Sequence, residues 1–136
     1  MIEPITWEQF LDFVNRQGFS WRDLLGQDKW ETFTPVFGSL TVVGATSYSG
    51  RFRKVGASIS LQVKFSAATS ISSVAGTDYL TLPVAAKGLT GFGVMTNQTT
   101  NIAVGECHLD MTNSKLWLPT QGASPNTFNL YAEYEV

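Results

Sequence analysis

Ser58-Ile59-Ser60-Leu61-Gln62-Val63-Lys64-Phe65 alternates polar and apolar side chains without a break. Successive side chains of an extended chain point to opposite faces, so this stretch is a strand with one buried and one wet face, the mark of an antiparallel sheet. The carboxyl-terminal run repeats the pattern, with Phe128, Leu130, Ala132, Tyr134 and Val136 facing one way and Asn129, Tyr131, Glu133 and Glu135 the other. Between and before these two lie shorter strand candidates around 36–43, 46–55, 78–82, 91–96, 103–111 and 115–118, punctuated by Gly44, Gly50, Gly76, Gly88, Pro83, Pro119 and Gly122. Eight short strands in about 100 residues predict a mainly β fold, a jelly-roll-like antiparallel β-sandwich.

Upstream the period changes. Trp7, Phe10, Leu11 and Val14 recur at helical spacing, Thr6 and Gln9 form a capping box, and Ile5 and Phe10 form a hydrophobic staple before Gly18. Ser20, with Phe19 and Leu24 as a second staple and Gly26 as a stop, repeats this in miniature. The spacing predicts two short N-terminal α-helices, over 7–17 and 21–25. Charge marks the same division, because residues 1–32 hold six acidic and three basic side chains, against five and six in 33–136. The expected organisation is a helical attachment or assembly segment, 1–32, followed by a β-sandwich domain, 33–136. Trp7, Phe10, Leu11, Val14, Trp21 and Leu24 are its attachment candidates, since two short helices cannot bury that much apolar surface against each other.

The chain has 136 residues, 43% of them hydrophobic and 15% charged, enough for one core and too few for several domains. A net charge of −2 without a basic block argues against nucleic-acid binding. One cysteine, Cys107, excludes an internal disulfide and any Cys-rich zinc site. Met1-Ile2-Glu3-Pro4 begins no secretory signal pattern and no apolar run reaches membrane-spanning length, so synthesis in a cytoplasm without membrane insertion is expected.

Few residues suit chemistry. Cys107 and the single histidine, His108, are neighbours on a strand and so point apart, which defeats a nucleophile and base pair. Glu106, His108 and Asp110 share a face at about 7 Å intervals, too wide for one metal ion within a chain. Glu133 and Glu135 have a separation of about 7 Å, within the range of inverting glycosidases, but they point the same way instead of flanking a sugar. No catalytic residue, metal or cofactor is therefore assigned. Gly91-Phe92-Gly93 reads as a flexible strand entry, and Asn97-Gln98-Thr99 as an incidental glycosylation motif. If Leu116 and Leu118 face the core, Trp117 lies outside, where it can stack on a sugar ring or fill an interface. Trp117, Tyr48 and Tyr131 are the glycan-binding candidates.

Three runs carry a likeness to a known group: Trp30-x-x-Phe33-Thr34-Pro35-x-Phe37, then Tyr48-Ser49-Gly50-Arg51-Phe52-Arg53-Lys54-Val55-Gly56, then Leu80-Thr81-Leu82-Pro83-Val84-Ala85-Ala86. With the alternating strand between them, residues 30–136 resemble the C-terminal β-domains of tailed-bacteriophage tail fibres and related virion appendages. Arg51 and Arg53, with the opposite-facing Phe52 and Val55, suggest a bulged strand there. The resemblance implies a non-enzymatic virion structural protein, jelly-roll-like and homotrimeric, that meets other virion proteins through 1–32 and touches a host-surface glycan or caps a tail fibre, baseplate or capsid. The alternatives are a non-viral carbohydrate-binding module and a small glycoside hydrolase built on Glu133 and Glu135.

Overall fold

The structure is a computed structural model, and it describes residues 6–9, 29–88 and 90–136. These form twelve strands: β1 Glu31–Phe33, β2 Phe37–Gly38, β3 Thr41–Val43, β4 Thr46–Val55, β5 Ser58–Ala67, β6 Ser70–Ser73, β7 Tyr79–Thr81, β8 Gly91–Asn97, β9 Ile102–Asp110, β10 Lys115–Trp117, β11 Gln121–Ser124 and β12 Phe128–Glu135. The fold is mainly β, as expected. Nine strands make one antiparallel sheet in the order β1-β4-β5-β12-β8-β9-β10-β7-β2, and β11-β6-β3 make a smaller one.

A single hairpin runs through both sheets. β4 and β5 meet at a two-residue turn, Gly56-Ala57, with Gly56 at φ +61°, the position where a type II′ turn places glycine. Val55 lies opposite Ser58 at the turn, and the same register continues through Thr46 opposite Ala67 to Thr41 opposite Ser72. At Gly44, φ +90°, the paired strands leave the large sheet for the small one, and the ladder survives the corner through Ala68 N–H to Ala45 O and Thr69 N–H to Val43 O. Corners made by strands that change sheets are a normal device of β-sandwiches.

Alternation then fills the core. Ile59, Leu61, Val63 and Phe65 of β5 and Phe128, Leu130, Ala132 and Tyr134 of β12 are buried on one face, joined by Ile71, Leu80, Met95, Cys107, Leu116 and Leu118. The large sheet curls so that its far edge returns to its beginning: the Phe37 ring on β2 lies 4.9 Å from that of Phe65 and 5.1 Å from that of Tyr48. Asp78, itself buried, secures the turn before β7 by accepting the Val74 N–H at 2.7 Å.

Several expectations are corrected. The candidate strand at 36–43 breaks at Ser39, φ +61°, into β2 and β3, which join different sheets. Strands β1, β6 and β11 were not anticipated, and β1 starts the sheet at Glu31, before residue 33. β4 has no bulge, and Val55 shares the face of Arg51 and Arg53 instead of opposing them. The Thr6 capping box is present, with Gln9 N–H on Thr6 Oγ1 at 3.2 Å and Thr6 N–H on Gln9 Oε1 at 2.9 Å. Helical backbone follows at residues 7–9. The rest of the helix at 7–17 and all of that at 21–25 lie outside the described residues, with Phe10, Leu11, Val14, Trp21 and Leu24. Trp7, the described member of that group, is 65% exposed.

Candidate functional site on the outer sheet face

Residues directly opposite each other in an antiparallel pair share a face. One outward row therefore runs Arg51, Gln62, Tyr131, Val94, Glu106 across β4, β5, β12, β8 and β9. Another joins His108, Trp117, Tyr79 and Gly38 across β9, β10, β7 and β2.

The second row holds an aromatic platform. Leu116 and Leu118 are buried, which puts the half-buried Trp117 on the outer face. Its ring meets that of Tyr79 edge to face at 5.0 Å, and Tyr79 lies so close over Gly38 that a Cβ there would be 2.2 Å from the phenol ring. Lys115 Nζ sits 4.2 Å from the Tyr79 centroid and 5.5 Å from that of Trp117. The Trp117 indole N–H points to Asp110 Oδ2 at 3.5 Å. Asp110 also accepts from Asn113 Nδ2 and from the backbone of Thr112 and Asn113, so the β9–β10 turn and the indole are held by one carboxylate. Those bonds, the Asn113 side chain first, lower its pKa. Beside Trp117 lies a hollow of about 470 Å³ lined by Glu106, His108, Pro119, Thr120 and Gly76.

The first row borders a shallow groove of about 600 Å³ over β1, β4, β5 and β12. Tyr131 lines it. Its hydroxyl donates to Glu133, which raises the phenol pKa, with desolvation as the second cause. Tyr48, by contrast, is on the core-facing side of β4, opposite Phe65 and against Phe37, so its aromatic surface is spent on packing. Burial raises its pKa as well.

The other polar candidates have structural partners. Glu133 accepts from the hydroxyls of Tyr131 and Ser60, and Glu135 from that of Thr90. Both glutamates lie on the same face of β12. Asn97 is buried and its Oδ1 accepts the Thr100 N–H at 3.2 Å, so this residue of the glycosylation motif serves the β8–β9 turn. Gly93 is buried, and a Cβ there would come within 2.8 Å of Leu116 Cδ1 and 3.2 Å of Cys107 Cβ, so core packing, and not flexibility, favours a glycine there. Among the described residues no group of three His, Cys, Asp or Glu could hold a metal ion, and no helix is long and apolar enough to cross a membrane.

Cys107 faces the core and His108 the outer surface. Burial pushes the thiol pKa up to about 12, so the reactive thiolate is scarce. Cys107→Ala is expected to cost about 1 kcal/mol, a loss of one buried sulfur, and thermal unfolding checks it. A loss above about 10 °C would mean that Cys107 does more than fill space.

The sequence makes none of the groove residues Arg51, Gln62, Lys64 and Asn129 a binding candidate. Their outward parity was readable on each strand, but the β4-β5-β12 pairing that gathers them was not. Comparison of the chain with protein-family models, curated proteins and solved structures found no match.

Proposed function

We propose that the protein is a non-enzymatic virion structural protein, a homotrimeric bacteriophage appendage whose β-domain contacts a host-surface glycan while residues 1–32 attach it to other virion proteins. The observation that carries the glycan contact is the Trp117 platform: an aromatic pair flanked by Gly38, Lys115 and Asp110, beside a mainly apolar hollow that carries Glu106, His108 and Thr120 as its polar groups. Saccharide sites combine an apolar ring face with a few fixed polar groups in this way. The virion setting rests on the resemblance of residues 30–136 to tail-fibre β-domains, and the curled sheet with its cornered hairpin is compatible with a jelly-roll-like sandwich.

Two measurements test this reading. Immunogold electron microscopy of mature particles is expected to label an appendage, and absence of the chain from particles would leave a non-viral carbohydrate-binding module in its place. Trp117→Ala, with its melting temperature near the parent's, is expected to weaken glycan or cell-surface adsorption about tenfold per site. Unchanged adsorption would remove the platform from the binding account. Weak single sites gain strength by repetition in a trimer.

A further inference from the structure

We propose that the groove over β1, β4, β5 and β12 is a second saccharide site, separate from the Trp117 platform, and that it selects an acidic sugar of the uronic-acid class. The proposal rests on the reading of the protein as a glycan binder and adds a site and a ligand chemistry to it.

The lining decides the class. Two cationic side chains, Arg51 and Lys64, share it with Thr32, Ser49, Gln62, Gln98, Asn129 and Tyr131, and among the described residues no carboxylate lines it. Glu133, on the same outer face of β12, already accepts the Tyr131 and Ser60 hydroxyls. Arg51 is fixed before any ligand arrives: its guanidinium lies 4.5 Å from the Trp30 centroid, and Nε and Nη2 both donate to Gln62 Oε1, at 2.9 and 2.7 Å. That leaves its Nη1 donors without a partner among the described residues, and Lys64, one row away opposite Ser49 and Asn129, has none there either. A preorganised guanidinium with a free edge is suited to a carboxylate. Two cations are too few to neutralise a nucleic-acid backbone, whereas amides and hydroxyls that outnumber them match the vicinal hydroxyls of a sugar. The volume of about 600 Å³ is in the range of small-ligand sites.

Calorimetric titration of the full chain with a galacturonic-acid tetramer, its neutral methyl ester and a glutamate tetramer tests the proposal. The acid is expected to bind about tenfold tighter than either comparator, and increasingly weakly as salt is raised. Lys64→Gln, at an exposed side chain, is expected to weaken the acid about three- to fivefold and leave the melting temperature unchanged. Arg51→Gln should weaken it about tenfold or more. Equal binding of the ester would show that charge is not read, and equal binding of the glutamate tetramer that sugar is not read; either overturns the proposal. Acid binding that survives Lys64→Gln and Arg51→Gln but falls with Trp117→Ala overturns the groove and leaves the glycan reading standing. Absence of binding by both uronic sugars overturns the acidic-sugar proposal, while a glycan array that is also blank overturns the glycan reading itself.

Discussion

Phe65→Ala is expected to lower stability by about 3–5 kcal/mol, the range for truncating a buried phenylalanine. Phe65 is 1% exposed, on the buried face of β5. Its ring is 5.7 Å from Phe128 on the neighbouring β12 and 4.9 Å from Phe37 on the opposite edge of the same sheet. Truncation therefore removes buried area and also one of the two ring contacts through which Phe37 on the far edge meets the start of the curled sheet, the other being Tyr48. Single domains are stable by about 5–15 kcal/mol, so the loss is a large fraction of the whole. The melting temperature should fall by about 10–20 °C. Phe92→Ala is the control, since Phe92 is 52% exposed on the outer face and its loss should cost less than about 1 kcal/mol. Equal losses for the two variants would mean that Phe65 does not hold the sheet closed.

How far the sequence could be read follows from the range of the signal. β4, β5, β8, β9 and β12 are long enough for alternation to declare itself, and Leu116 and Leu118 set the side of Trp117 correctly. The misread strands lack that signal. β6 is Ser70-Ile71-Ser72-Ser73, with one large apolar residue, and β11 is Gln121-Gly122-Ala123-Ser124, with none, so neighbouring strands and not side-chain pattern make them extended. β2 and β3 read as one strand because Ser39 gives no warning of a positive φ. The same boundary limits the site. Trp117 was visible as a single residue with a local parity, whereas the groove needs β1, β4, β5 and β12, which come from both ends of the β-domain. Tyr48 shows the converse failure: its parity was readable, but which face of β4 the far edge would cover was not.

Gly44→Val is expected to cost about 2–4 kcal/mol, and the comparison with Gly56 shows why. Both glycines have positive φ, +90° and +61°, where side chains with a Cβ are disfavoured. A Cβ at Gly56 would meet nothing within 4 Å, so Gly56→Asn should cost the backbone strain of that turn position alone, about 1–2 kcal/mol. A Cβ at Gly44 would lie 3.0 Å from both Thr69 N and Thr69 Oγ1 and 3.1 Å from Ala68 Cβ, on the partner strand at the corner. Backbone strain of about 1–3 kcal/mol thus adds to crowding that β6 can relieve only by moving away from β3. That movement would open the ladder between Thr41 and Ser72 and loosen Ile71, 1% exposed, from the core. Hydrogen exchange should accordingly quicken at residues 70–73 while the central β5–β12 ladder keeps its protection relative to the new global stability. If Gly44→Val unfolds no more easily than Gly56→Asn, the corner is not a point of close approach, and the small sheet is held to the large one by its apolar residues instead.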